Sequence, residues 1–338
     1  MEQSEVNEQM ETASAGGIGA PAQVTSAARP ASSSIAPQAC PTCGVAPATN
    51  GGGAASPSYV YAIGRIEPRF PRASVEKEFA QATGRAGTAG LTDRQALQAV
   101  LSKPENRYLV RQLCWVMTIE GLETYILAPR DPSDFGLLVE SLRPSPQPWD
   151  LDCVIGFRGP IAGPEVCNGL MVPIVAFDQI YSFDRDTLIK AIPKPEKTTA
   201  KEFAPAAEEL FDRIMQLADN AGATDEHRAL NYLAVRYQAI YAHAADAFAR
   251  NASLTGVDVV PSPLSGTRNV VDVIFSYTNR NTDVTEKFFC RVDVTEEFPF
   301  LVIKLSPYYD RRRCAAPNGR APGSVRSFTK GVHDVHAK

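Results

Sequence analysis

Val284-Thr285-Glu286-Lys287-Phe288-Phe289-Cys290-Arg291-Val292-Asp293-Val294 is the stretch whose reading decides the fold. Val284, Phe288, Cys290, Val292 and Val294 fall on one side, and Thr285, Lys287, Arg291 and Asp293 on the other. Side chains of a strand point alternately to its two faces, so this is a strand with one buried and one wet face. The polar loop Thr278-Asn279-Arg280-Asn281 joins it to a second apolar run, Val270 to Tyr277. Phe298 to Leu305 supplies a third strand and Val257 to Val260 a fourth, which together make an antiparallel meander.

Upstream, the apolar period lengthens to that of a helix. Leu210, Phe211, Ile214, Leu217 and Ala218 form one stripe. Leu230, Leu233, Ala234, Tyr237, Tyr241, Ala244 and Phe248 form a longer one, read as a single helix from about Thr224 to Arg250. Asn220-Ala221-Gly222-Ala223 separates the two, and Thr224-Asp225-Glu226 is a cap with acids in the first turn. The expected fold is therefore α+β in two lobes, the second (205–310) a helical hairpin packed on an antiparallel β-meander.

The first lobe, 58–192, reads as mixed. Tyr59 to Ile63 is a short strand closed by Gly64, and Leu91 to Leu101 is a helix with a Thr92-Asp93 start. Cys114 to Ile119 and Thr124 to Leu127 pair as a hairpin through Glu120-Gly121. Asp131-Pro132 opens a helix through Leu142, and Cys153 to Phe157 is a strand followed by a Gly/Pro loop. Leu170 to Phe177 is a strand that Pro173 places at an edge or bulge, and a short helix spans about Asp186 to Ile192. Residues 193–204 read as a linker. The arms 1–57 and 311–338 lack the apolar content to offset ordering and are expected to be disordered.

The formal net charge is −4. The first 58 residues hold four Glu and only Arg29, while the stretch from Asp310 carries seven Lys or Arg against two Asp. The body between is net acidic, which argues against a nucleic-acid-binding face. The first residues lack the basic and apolar regions of a secretory signal, and no apolar run approaches the ~20 residues that span a bilayer. Seven widely scattered cysteines do not form a secreted disulfide framework, so the expectation is a cytoplasmic chain with reduced thiols, no membrane and no nucleic acid.

Val60-Tyr61-Ala62-Ile63-Gly64, the stretch from Asn106 to Trp115, Pro173-Ile174-Val175 and Asn231-Tyr232-Leu233-Ala234 resemble the non-protease C-terminal region of the PatA/PatG-type cyanobactin maturation protease family. The resemblance runs over roughly 58–310 and its motifs are mostly structural. It implies a place in the maturation of ribosomally made peptides and carries over no activity. The family's subtilisin-type triad is missing: none of His227, His243, His333 and His336 precedes Gly-Thr, and Ser265-Gly266-Thr267 is in the wrong order for the nucleophile turn.

The remaining candidates are local. Cys40-Pro-Thr-Cys43-Gly is half a zinc knuckle, completed only if Cys153 and Cys167 or another chain contribute; a vestigial knuckle or exposed redox pair are its alternatives. His227, with Glu226, Arg228 and Asn231, could serve acid–base chemistry or simply contact the neighbouring lobe. Asp283, Glu286, Asp293, Glu296 and Glu297 crowd one hairpin and its exit, where a wet sheet face already accounts for them. Cys153, Cys167 and Cys290 read as small core residues. The spaced glycines from Gly156 to Gly163 lack the context of a dinucleotide site, and His333/His336 and Arg311–Arg313 read as solvated tail.

These readings converge on a non-catalytic accessory module that needs no cofactor. Its expected partner is a peptide-maturation protease, a modifying enzyme or the precursor peptide, added as a strand along Leu170–Phe177. An enzyme using His227 or zinc, and a structural dimerisation module, are the rivals.

Overall fold

The computed structural model describes residues 58–86, 88, 90–193, 200–216 and 219–309. The two arms, and with them Cys40, Cys43, His333, His336 and Arg311–Arg313, lie outside the described residues. All described residues fall in one compact unit.

The chain runs β1 (Tyr59–Arg69), α1 (Ala73–Ala86), α2 (Asp93–Leu101), α3 (Arg107–Gln112), β2 (Cys114–Ile119) and β3 (Leu122–Pro129). It continues through α4 (Phe135–Ser141), β4 (Asp150–Ile161), β5 (Pro173–Asp184) and α5 (Arg185–Ala191). These five strands close into a barrel in the order β1-β2-β3-β5-β4, antiparallel except for the parallel pair β3/β5. Alternation sends Val60, Ala62, Ile66, Trp115, Met117, Leu127, Val154, Val175 and Phe177 to one shared cluster, the filling of the barrel. Tyr61, Ile63, Cys153 and Ile155 point the other way.

The second lobe holds α6 (Ala200–Met215), α7 (Asp225–Arg236) and α8 (Ala239–Ala249), then β6 (Ala252–Pro261), β7 (Val270–Asn279), β8 (Thr285–Asp293) and β9 (Phe300–Pro307). The sheet order is β6-β7-β8-β9, all antiparallel. Cys290, Val292 and Val294 are fully buried, as their alternation required, beside Leu230 and Leu233 of α7. The helical layer buries both its sides. Its cluster also takes Tyr61, Ile63, Cys153 and Ile155 from the outside of the barrel. Gly222, in the loop before α7, lies directly on β1: its carbonyl accepts from Tyr61 N at 2.8 Å, its φ is +69°, and a Cβ there would sit 2.3 Å from Tyr61 O.

Several local expectations hold. Thr92 caps α2 in a full capping box with Gln95, and Asp131 accepts from Ser133 N at the next helical start. Glu120 and Gly121 both take positive φ, as a two-residue hairpin turn demands.

Others need correction. Gly64 does not close β1, which continues to Arg69; Gly64 lies opposite β2, where a Cβ would meet Thr118 O at 2.5 Å. The supposed Gly/Pro loop after Phe157 continues β4 as far as Ile161. The strand read at Leu170–Phe177 starts at Pro173 and is no edge: β5 pairs with β3 on one side and β4 on the other. Pro173 is its first residue, where a missing N–H is tolerated. The single long helix is two, because α7 ends at Tyr237 (φ −118°, ψ 86°) and α8 starts at Ala239. The break releases the Tyr237 hydroxyl to accept from Leu305 N at 3.1 Å, tying the helices to β9. Helix α6 begins at Ala200, inside the stretch read as linker. The thiols are not all free: Cys114 and Cys167 form a disulfide, with Cys167 in the turn between β4 and β5.

Candidate functional site

The β8–β9 turn, 294–299, is held by Arg228 of α7. Arg228 leaves the second residue pair of α7 almost wholly buried. Its guanidinium donates to Val294 O at 2.7 Å, to Glu297 O at 3.3 Å and to Glu296 O. Asp225, one turn back, stands 3.6 Å away, and the Tyr59 ring of β1 lies 5.0 Å from the guanidinium carbon. Desolvation pulls the Arg228 pKa down against these partners.

The stack continues into the barrel. Tyr59 packs on Phe157 of β4 with centroids 5.0 Å apart, and Arg130 at the end of β3 sits 4.6 Å above the Phe157 ring. Arg130 holds Asp178 of β5 with two bonds of 2.9 and 2.8 Å. Glu297 meets this pair from the turn. Its Oε1 is buried with no hydrogen-bond partner among the described residues. Burial first, and then the nearby Asp178, raises its pKa to about 7 against the pull of Arg130 and Arg228.

From this turn the chain enters β9, which among the described residues pairs only with β8 and has no strand on its other edge. Phe298 just before it, and Phe300 and Val302 in its first half, are exposed. The opposite edge, β6, is blunted by a register shift at Leu254/Gly256 and by exposed Asp258 and Pro261.

The sequence-derived candidates scatter. His227 gives its N–H to the Thr224 cap hydroxyl, and burial lowers the pKa of its ring. Asn231 turns away from it, donating to Tyr61 O at 2.8 Å and pairing with Asn220. Of the five hairpin carboxylates, Asp293 pairs with Arg268 at 2.7 Å and Glu286 with Arg250 at 3.2 Å; only Glu297 joins the barrel. Cys153 is fully buried, its thiol pushed up to about 12 by desolvation, and Cys167 is disulfide-bonded, so neither is placed to complete a zinc site. Cys290 is buried as a core residue should be. No group of three or more His, Cys, Asp or Glu side chains fit to hold a metal ion occurs among the described residues. Arg130 and Asp178 carried no signal: Arg130 follows the last residue of β3, Asp178 lies midway along β5, and only the pairing of these strands brings them together.

A family model described as PatG C-terminal matches residues 197–308. Residues 197–308 are a PatG C-terminal-like domain. The solved structure "PatG Domain of Unknown Function" is similar to this chain with a TM-score of 0.61 at 20% identity, covering 74% of this chain and 98% of that one. The likeness of fold therefore reaches beyond the PatG C-terminal-like domain into the barrel. No curated protein matches.

Proposed function

We propose that the chain is an accessory module in the maturation of ribosomally made, cyanobactin-type peptides, and that it captures an extended segment of the precursor along β9. The observation that carries this reading is the open edge of β9 with Phe298, Phe300 and Val302 exposed beside it. An added strand satisfies the free backbone groups, and alternate side chains read the incoming sequence. The rest of the reading draws on the PatG likeness, which supports a pathway and carries no chemistry. Lys304 and Pro307 interrupt the second half of the edge and limit pairing to the first.

The test is titration of the full-length protein with a labelled precursor peptide of the family type. Binding to the wild type, with at least a tenfold loss in Val302→Asp, supports the reading. Equal affinity of the two proteins, or no binding, overturns it.

A further inference from the structure

Cys114 and Cys167 are joined by a disulfide that solvent scarcely touches, at 6% and 2% exposure. Cys114 opens β2, inside the barrel ladder, whereas Cys167 sits in the β4–β5 turn, outside it. Of the two, Cys167 lines a cleft of about 500 Å³ whose walls include Arg69, Phe70, Glu123 and Leu170. The same chain carries a second cysteine pair, Cys40-Pro-Thr-Cys43, outside the described residues. We propose that these two thiols exchange with the Cys114–Cys167 disulfide within one molecule, by attack on Cys167, so that the N-terminal arm is the redox partner of the barrel.

The chain meets the barrel in the direction this requires. β1 starts at Tyr59 opposite Phe157 of the antiparallel β4, and Arg158 N donates to Ser58 O at 2.8 Å. Going backwards from Ser58 therefore follows β4 forwards, past Arg158 towards Ile161 and the turn that holds Cys167. Among the described residues no strand lies on that side of β4 beyond Arg158. From Phe157 to Ile161 is a strand length of only ~13 Å. Cys43 is fifteen residues from Ser58, a reach of up to ~50 Å. The tether is long enough, and it starts on the strand that leads to Cys167.

The exchange itself needs no outside reagent. One arm thiolate attacks Cys167 Sγ, the Cys114–Cys167 bond breaks, and Cys114 leaves as a thiolate that takes up a proton. The second arm thiolate then attacks the arm sulfur of the mixed disulfide. Cys40–Cys43 forms, Cys167 is released, and two electrons have passed from arm to barrel. The protons given up by the two arm thiols reappear on Cys114 and Cys167, and the reverse sequence runs through the same mixed disulfide. Arg69, opposite Cys114 in the β1/β2 register, stands beside the leaving residue with its charge shared with Glu123. Cys153 and Cys290 are buried in the core under the helical layer and take no part.

The test uses the full chain with the barrel disulfide formed, in about 0.1 mM reduced glutathione, which keeps the arm reduced and lies below the millimolar effective concentration of a tethered thiol. Trypsin places Cys40 and Cys43 in peptide 1–65, Cys114 in 112–130 and Cys167 in 159–185, so after quenching with N-ethylmaleimide each link has its own mass. Opening of the 112–130/159–185 link should be about tenfold faster or more in the wild type than in the double variant Cys40→Ser, Cys43→Ser, at a rate independent of protein concentration. Either single variant, unable to finish the exchange, should carry 1–65 joined to 159–185. Equal rates in wild type and double variant, a rate that scales with protein concentration, or no such joined peptide overturns the relay. The link between 112–130 and 159–185, present at the start of each reaction, shows that each variant has folded.

Discussion

Arg228 in α7 donates to the carbonyl of Val294, 66 residues further along the chain, at 2.7 Å. That bond joins the helical layer to the exit of β8. Asn231, one turn on, donates to Tyr61 O of the barrel at 2.8 Å. Helix α7 is thus the part that both lobes hold, and its polar residues do the holding.

Arg228→Ala should accordingly destabilise the protein by about 2 kcal/mol or more, since a buried carbonyl left without a donor costs roughly 1–3 kcal/mol. Arg228→Lys should recover only part, because an ammonium cannot fan out to three acceptors. Urea unfolding of the full chain measures both. A loss below about 0.5 kcal/mol for the alanine variant would show that the turn does not depend on Arg228.

Leu233→Ala, at a position with no exposed surface, should cost roughly 2–5 kcal/mol. Lys304→Ala, on the exposed side of β9, should stay within about 0.5 kcal/mol. The measurement belongs on the full chain rather than an excised lobe, because the helical layer also packs on Tyr61 and Ile63. Comparable losses at both positions would contradict the assigned faces.

Stability should fall as pH rises from about 4 through about 6, through Asp152. Its carboxyl is buried and accepts from Ile66 N at 3.0 Å and Ser182 Oγ at 2.6 Å, while desolvation raises its pKa to about 6. The folded state therefore keeps a proton that the unfolded state has released, and each pH step in that window favours unfolding. Chemical denaturation between about pH 4.5 and about pH 7.5 checks the slope, which Asp152→Asn should flatten below pH 6. A wild-type stability that climbs over this range would reverse the sign and contradict the assignment.

The disulfide spans 53 residues and fixes the β4–β5 turn to the start of β2. A cross-link closing a loop of that size stabilises by about 4 kcal/mol on chain-entropy grounds. Cys114→Ser with Cys167→Ser, or added reductant, should lower the thermal midpoint by several degrees. Identical melting with and without reductant would show that the bridge contributes nothing to the folded state.

Much of the second lobe was legible because its elements are amphipathic on their own. The alternation through Phe288, Cys290 and Val292 sets the sheet faces, and the stripe through Leu230 and Leu233 sets the face of α7. The break at Tyr237 was not legible, since the apolar period runs through it unchanged and only the bond to Leu305 N betrays it. Barrel closure was hidden for a similar reason. Pro173 announces a strand boundary, and nothing local distinguishes a strand start from an edge. Within the candidate site, Arg228 and Glu297 stood out in sequence as helix-start and hairpin charges. Arg130 and Asp178, 48 residues apart, acquire meaning only through the parallel pairing of β3 with β5.

The central claim, capture of a peptide strand on β9, is tested most directly by amide exchange of the full-length protein with and without saturating precursor peptide. The account predicts new protection concentrated in the first half of β9, 300–303, beginning at Phe300, with β6 unchanged. Protection that appears on β6 or elsewhere while β9 exchanges as before would contradict it.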